Sequence, residues 1–286
     1  MQGSQVKTAV ITGASSGIGL AAAEALLRRG WRVIGVGRDP VRTAAAQDML
    51  RSRMPDGDIT MLQGDLSLMA EADRLAAAIG GLTDHVNLLA NNAGGMADAQ
   101  RMTAEGLEEN FAANHLGPFR LTQRLQPLLL AAVKDGGARV VMTSSDGSEM
   151  IPGIDCDDLQ SLSGWSPGKA YCTGKLANVL FARALAQRWG EDGIMAHAFH
   201  PGTVDSNFFT HVPAETRRHT DAMAKITPEQ GAETLVWLAI SPEAGECNGG
   251  YWSDCQPRKP NPVVEQDGLP DRFWEASEKL LAKVSG

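Results

Sequence analysis

Residues 7–30 read KTAVIT (Lys7–Thr12), GASSGIG (Gly13–Gly19) and LAAAEALLRRG (Leu20–Gly30) in immediate succession. The first segment is apolar and rich in β-branched residues, as a buried strand requires, and the last repeats apolar residues at helical spacing. Between them lie three residues without side chains, Gly13, Gly17 and Gly19. A strand that turns into a helix over glycines exposes unpaired amides and the positive end of the helix dipole, and it lets a pyrophosphate approach the backbone. Glycine at a helix end is common for purely structural reasons. Here the position decides, because the turn sits in the first strand-to-helix connection of the chain. Ser15, Ser16 and Ile18 join the three glycines as candidate phosphate-contact residues.

Outward from this unit, strands and helices alternate. RVIGVG (32–37) predicts a second strand, Pro40 opens a helix to about Met54, and DITMLQG (58–64) predicts a third strand. An Ala-rich helix follows Ser67, then HVNLLANNAG (85–94) predicts a strand covered on both faces. A long helix is expected from Thr103 to about Val133, a fifth strand in ARVVMTSS (138–145), a helix from Pro167 to Trp189 and a sixth strand in IMAHAF (194–199). A helix from Thr227 to Ile240 and a short strand around Gly250–Ser253 complete the set. Connections too long for hairpins call for parallel pairing with right-handed crossovers. The expected fold is therefore α/β, a doubly wound Rossmann-type parallel sheet in three α/β/α layers, with residues 1–286 forming one domain. Residues 146–166 and 202–224 fit no element and follow strand carboxyl ends, where such sheets bind ligands. They are expected to wall and roof an apolar substrate cleft, with Met150, Trp165, Phe208 and Phe209 as its apolar residues. The amphipathic tail at about 270–284 is expected to pack on its own domain.

The 286 residues are 43% apolar and 21% charged, enough apolar material for a large core, and the net charge is -8. That balance excludes the clustered basic footprint of a duplex-binding protein, so no nucleic-acid partner is expected. The leading MQGSQVK is polar and is followed by no membrane-length apolar run, so neither a signal sequence nor a membrane anchor is expected and the location is read as cytoplasmic. Cys156, Cys172, Cys247 and Cys255 form no C-x-x-C pair and no metal-ligand spacing with His, so they are read as reduced thiols with no metal.

Two places admit a chemical reading, although for the first an ordinary helix surface with an exposed Lys and an interfacial Tyr is what the pair by itself favours. Tyr171 and Lys175, four apart in AYCTGKLANVLF, share one face of a helix. A phenol with an ordinary pKa near 10 becomes a useful proton carrier near neutrality when a neighbouring cation stabilises its anion. In RVIGVGRDP, Gly37 stands where an NAD site places a ribose-binding carboxylate, and Arg38 follows it, suited to grip a 2′-phosphate. Asp39 is the competing reading: it either reaches the ribose or caps the helix that Pro40 opens. NADP(H) is the expected cofactor ahead of NAD(H).

The segment TGASSGIG, with GDLS (64–67), NNAG (91–94), AYCTGK (170–175) and HPGTVDS (200–206), resembles the short-chain dehydrogenase/reductase superfamily across nearly the whole chain. The resemblance implies acid/base work for Tyr171, pKa tuning and ribose binding for Lys175, carbonyl polarisation for Ser145 rather than Ser144, and a water relay through Asn114. It further implies cofactor contacts at Asp65 and Leu66, at Asn92, Ala93 and Gly94, and at Pro201, Gly202 and Val204. Gly174 departs from the small hydroxyl residue common before the lysine and removes no reacting group. NNAGGM, FAANHLGPFRLT and GGYWSDC look like the retinol-dehydrogenase and WW-domain-oxidoreductase branch, which implies a small apolar carbonyl or alcohol substrate. Helices resembling the family's association surface start at Thr103 and Pro167, which implies a homodimer or homotetramer. Two other functions fit the same residues: reduction of a carbon-carbon double bond, and a non-catalytic NADP(H)-binding sensor.

Overall fold

The computed structural model describes residues 5–134, 136–206, 212, 216–218 and 222–284. Its strands are β1 (Thr8–Thr12), β2 (Arg32–Gly37), β3 (Ile59–Gln63), β4 (Leu88–Asn91), β5 (Ala138–Thr143), β6 (Ile194–Phe199), β7 (Tyr251–Ser253) and β8 (Gln256–Pro257). They form one sheet in the order β3-β2-β1-β4-β5-β6-β7-β8, parallel except for the final pair. The strand order reverses between β1 and β4, which opens a crevice at the carboxyl ends of the strands on either side. β7 is the short strand expected around Gly250–Ser253, and its antiparallel partner β8 is an element that sequence reasoning did not anticipate.

Consecutive residues of β1 point to opposite faces, and both faces are covered. Ala9 and Ile11 pack with Ala22 and Leu26 of α1 (Gly17–Leu27), Leu50 of α2 (Pro40–Arg53) and Leu235 of the later helix Pro228–Ile240. Val10 packs on the other face with Leu75 of α3 (Met69–Gly80) and with helices from the second half of the chain. Two cores on one sheet explain why its strands read as continuous apolar runs.

The helix expected from Thr103 starts later. Gly106, at φ 75, closes a turn whose ends are bonded to each other, Thr103 N to Leu107 O and Gly106 N to Thr103 O. Glu108 then caps α4 (Glu109–Phe111), accepting from Phe111 N at 2.6 Å. The helix widens into a π turn over Ala112–Leu116 before continuing as α5 (Gly117–Val133). A Cβ on Gly117 would collide with the Leu66 carbonyl oxygen. The missing side chain lets the end of β3 and the widened turn lie against each other.

Beyond α6 (Pro167–Trp189) and α7 (Pro228–Ile240), the tail forms α8 (Leu269–Val284), packed on its own chain. Trp274 lies 4.7 Å from Phe119 of α5 and 5.9 Å from Phe181 of α6, measured between ring centroids. His115 Nε2 and Ser277 Oγ are 3.0 Å apart, and full burial pushes the imidazole down to about 3, so it packs as a neutral ring. α8 thus packs on α5 and α6, which lie within the two stretches named for association. No helix among the described residues is long and apolar enough to cross a membrane.

Candidate active site

One cleft of about 740 Å³ runs along the carboxyl ends of β1 to β6 and receives nearly every residue singled out from the sequence. From β1 come Gly13, Ser15, Ser16, Gly17 and Ile18; from β2, Arg38; from β3, Asp65 and Leu66. The end of β4 supplies Asn92, Ala93 and Gly94, that of β5 supplies Ser145, and that of β6 supplies Pro201, Gly202 and Val204. Asn114, Tyr171 and Lys175 enter from the helices.

The phosphate turn depends on missing side chains. Gly13 has φ 70 and Gly17 φ 54, both left-handed. Gly19 does not face the cleft; a Cβ there would collide with the Gly13 carbonyl oxygen and stand 2.6 Å from Asn92 Nδ2. Asn92 is correspondingly occupied: its Nδ2 donates to Thr12 O at 2.9 Å and its Oδ1 accepts from Thr143 Oγ1 at 3.2 Å, tying β1 to β5. A dinucleotide's pyrophosphate fits this cradle, which side chains would otherwise fill. Gly19→Ala is expected to weaken NADP(H) binding about tenfold or more, since overpacking such a contact costs roughly 1–3 kcal/mol. Fluorescence titration with NADPH checks this, and an unchanged Kd would show that the turn tolerates the methyl.

At the end of β2, Asp39 lines the cleft and also caps a helix. Its carboxylate accepts from Arg42 N at 2.8 Å as the N-cap of α2. A Cβ at Gly37 would collide with Thr43 Oγ1, so a side chain there requires Thr43 to move. Arg42, which sequence reasoning passed over, lines the cleft together with Arg38. Its spacing of four from Arg38, in the first turn of a helix, was the available signal.

Ser145 and Tyr171 both line the cleft, and the Ser145 hydroxyl bears on the Tyr171 phenol. Burial pushes the Tyr171 phenol above its ordinary value, the Ser145 hydroxyl pulls the other way, and the neighbouring Cys172 and Asp146 add to the rise. Lys175 Nζ lies 5.5 Å from the Tyr171 ring centroid and donates to the Thr143 carbonyl at 3.2 Å. Ser144 is turned away, its Oγ donating to the Lys175 carbonyl at 2.8 Å. Asn114, fully buried in the π turn, accepts from Gly95 N at 3.2 Å and donates to Gly95 O at 2.9 Å. Its amide therefore holds the loop that carries Gly94.

Burial pushes Lys175 down to about 8, so the cofactor-free fold bears a cost for its charge. Because the folded value lies below the unfolded one, the cost is complete below about 8 and fades as pH rises towards the ordinary 10.5. Lys175→Met should raise the stability of the cofactor-free protein at neutral pH by up to about 3 kcal/mol, at ~1.4 kcal/mol per unit. Thermal melts from pH 7 to 10 test it; a gain that does not shrink with rising pH would mean that packing, not charge, is responsible.

Two expectations need correction. Of residues 146–166, only Asp146, Gly147 and Met150 reach the cleft. Ile151, Ile154 and Cys156 pack instead against the core that contains Val264 and Phe273. Trp165 is not an apolar cleft residue, because its Nε1 donates to the buried Glu108 carboxylate at 3.2 Å. Apolar side chains simply found a larger apolar surface behind the site. Of residues 202–224, Gly202, Thr203, Val204, Ser206, Thr216 and Met223 line the cleft, while Phe208 and Phe209 lie outside the described residues. His200 was not anticipated; it lines the cleft and its Nδ1 accepts from Asp146 N at 3.1 Å.

A dinucleotide cradle at the strand-order reversal, with a phenol, a hydroxyl and an ammonium gathered in the same cleft, defines the class: a nicotinamide-dependent oxidoreductase on a Rossmann-type fold. Residues 7–217 match the short chain dehydrogenase family model, and the chain belongs to that family. It is 33% identical over 284 residues to retinol dehydrogenase 12 of Homo sapiens, covering 96% of this chain and 86% of that protein, which agrees with the retinol-dehydrogenase-like branch. Among solved structures it resembles the RhlG/NADP active-site complex of Pseudomonas aeruginosa, at TM-score 0.69 and 27% identity, covering 86% of this chain and 93% of that one. It shares its fold with the 3-ketoacyl-(acyl-carrier-protein) reductase of Brucella melitensis complexed with NADH, at TM-score 0.67 and 24% identity, covering 86% and 95% respectively.

Proposed function

We propose that this chain transfers a hydride between NADP(H) and the carbonyl or alcohol carbon of an apolar aldehyde, ketone or secondary alcohol, with Tyr171 as the acid/base. The observation that carries the reading is the hydroxyl pair of Ser145 and Tyr171, backed by the Lys175 ammonium and set in the cleft that holds the glycine turn. The bound nicotinamide supplies or accepts the hydride. Ser145 orients and polarises the carbonyl oxygen. Tyr171, kept neutral by burial, hands its proton to that oxygen in reduction, and Lys175 holds positive charge beside the phenolate that remains. Asn114 fixes the Gly94–Gly95 loop, and a water relay past it belongs to the same proposal. Met96, Ala97, Ala113, Met150 and Met223 give the cleft an apolar lining suited to the substrate class. In this reading residues 1–286 act as one domain in the cytoplasm.

The test is a screen of NADPH oxidation over aldehydes, ketones and activated alkenes with the products identified. Alcohol products are expected. Saturation of the alkene alone would move the chain to the double-bond reductases, and tight NADPH binding without turnover of any class would favour the sensor reading.

A further inference from the structure

The residue after Ser145 is an acid. Asp146 lines the cleft, and the Ser145 hydroxyl donates to its Oδ1 at 2.9 Å. Its backbone is held on both sides: Asp146 N donates to His200 Nδ1 at 3.1 Å, and Gly147 N donates to Ser145 Oγ at 3.2 Å. The carboxylate therefore has a fixed place one hydroxyl away from the point where a carbonyl oxygen would bind. A carbonyl oxygen that takes the single Ser145 hydrogen displaces Asp146 Oδ1 from it and still sits within two hydrogen-bond lengths, roughly 5.6 Å, of that oxygen. Any group on the carbonyl carbon lies within the same few ångströms.

Arg258 acts on Asp146 from the β7-β8 side, but among the described residues the cations nearby are each engaged with another partner. On the β4 side of the cleft the cation is Arg101, which is paired with Asp98 at 3.0 Å and with Glu109 at 3.0 Å. Arg258, on the β7-β8 side, is paired with Glu149 at 2.7 Å. Lys175 stands behind Tyr171 and bonds Thr143. His200 is turned down by burial and presents Nδ1 as an acceptor to Asp146 N, which identifies a neutral ring.

We infer that Asp146 is a specificity-determining residue: its carboxylate rejects substrates with an anionic group next to the reacting carbonyl and confines the site to neutral ones. The inference rests on the carbonyl-reductase reading above and adds a filter to it. A 2-oxo acid would place its carboxylate beside that of Asp146, whereas its methyl ester has the same carbon frame without the charge. Like charges a few ångströms apart in a half-buried site separate the two substrates by about 100-fold or more.

The experiment compares phenylglyoxylate with methyl phenylglyoxylate, both as substrates with NADPH and as ligands of the NADP+-loaded enzyme by calorimetry. The wild type is expected to favour the ester by about 100-fold in kcat/KM and in affinity. Asp146→Asn keeps an acceptor for Ser145 and removes the charge, so it should cut the ester-to-acid ratio by at least about tenfold. The ratio cancels any general loss of activity, which a merely structural role would produce in both substrates alike. Asp98→Asn, on an exposed and already paired acid, should move the ratio less. Equal treatment of acid and ester by the wild type, an unchanged ratio in Asp146→Asn, or a larger shift in Asp98→Asn would each overturn the filter. If neither compound is reduced, the carbonyl-reductase reading fails for this class, and the calorimetric ratio alone still decides whether Asp146 excludes the anion.

Discussion

Tyr171→Phe is expected to lower kcat for carbonyl reduction by about 100- to 10,000-fold while leaving the dissociation constant for NADPH within a few-fold of wild type. The substitution removes one oxygen. That oxygen is the proton source for a carbonyl held by Ser145, because the Ser145 hydroxyl bears on the phenol and both residues line the cleft. Lys175 does not stand in its place: its Nζ lies 5.5 Å from the Tyr171 ring centroid and donates to the Thr143 carbonyl. The phosphate turn of Gly13 to Gly19 and the β1–β5 tie through Asn92 contain no atom of Tyr171, so the cradle stays formed. Steady-state rates and NADPH titration on the same preparation separate the two effects. A loss below about tenfold would take the acid/base role away from Tyr171, and a parallel loss of NADPH affinity would show that the phenol builds the cofactor site.

What the sequence disclosed and what it hid follow one physical line. Elements governed by local pattern were readable: IMAHAF became β6 at Ile194–Phe199, and the Asp39-Pro40 pair became the cap and first residue of α2. So was the side of the sheet that carries the site, since strand ends fix it whatever the loops do. Elements governed by distant partners were hidden. The start of α3 is capped by Glu105, whose carboxylate accepts from Met69 N at 2.6 Å and Ala70 N at 3.0 Å across more than thirty residues. The π turn left only a trace, an Asn inside a helix, and the close approach of Leu66 to Gly117 beside it joins residues distant in the chain. Trp165 looked like a cleft residue because its type suits one, yet Glu108 and Gln160 fasten its loop to the start of α4. Identity shows what a side chain can do; the fold decides which neighbour it does it to.

The same distinction bears on the cofactor, where the expected result is a strong preference for NADPH that collapses when Arg38 and Arg42 are removed together. An NADH site needs a carboxylate at the end of β2 free to take two ribose hydroxyls. A side chain at Gly37 would have to displace Thr43, and Asp39, which lines the cleft, gives its carboxylate to Arg42 N as the helix cap. Both guanidinium side chains line the cleft at that point. Hydrogen bonds to a charged group contribute about 1.5–3 kcal/mol each, so losing two should shift the NADPH-to-NADH ratio of kcat/KM by roughly 100-fold or more. The Arg38→Ala/Arg42→Ala pair keeps the Arg42 backbone donor, so Asp39 retains its cap, and the Arg42–Asp39 ion pair that disappears is long, at 3.8 Å, and exposed. NADH, lacking the phosphate, should therefore be used about as well by the variant as by the wild type, and the change should appear in NADPH alone. A wild type that favours NADH, or a variant in which both cofactors weaken equally, would show that these arginines support the fold of the β2 end and do not read a phosphate.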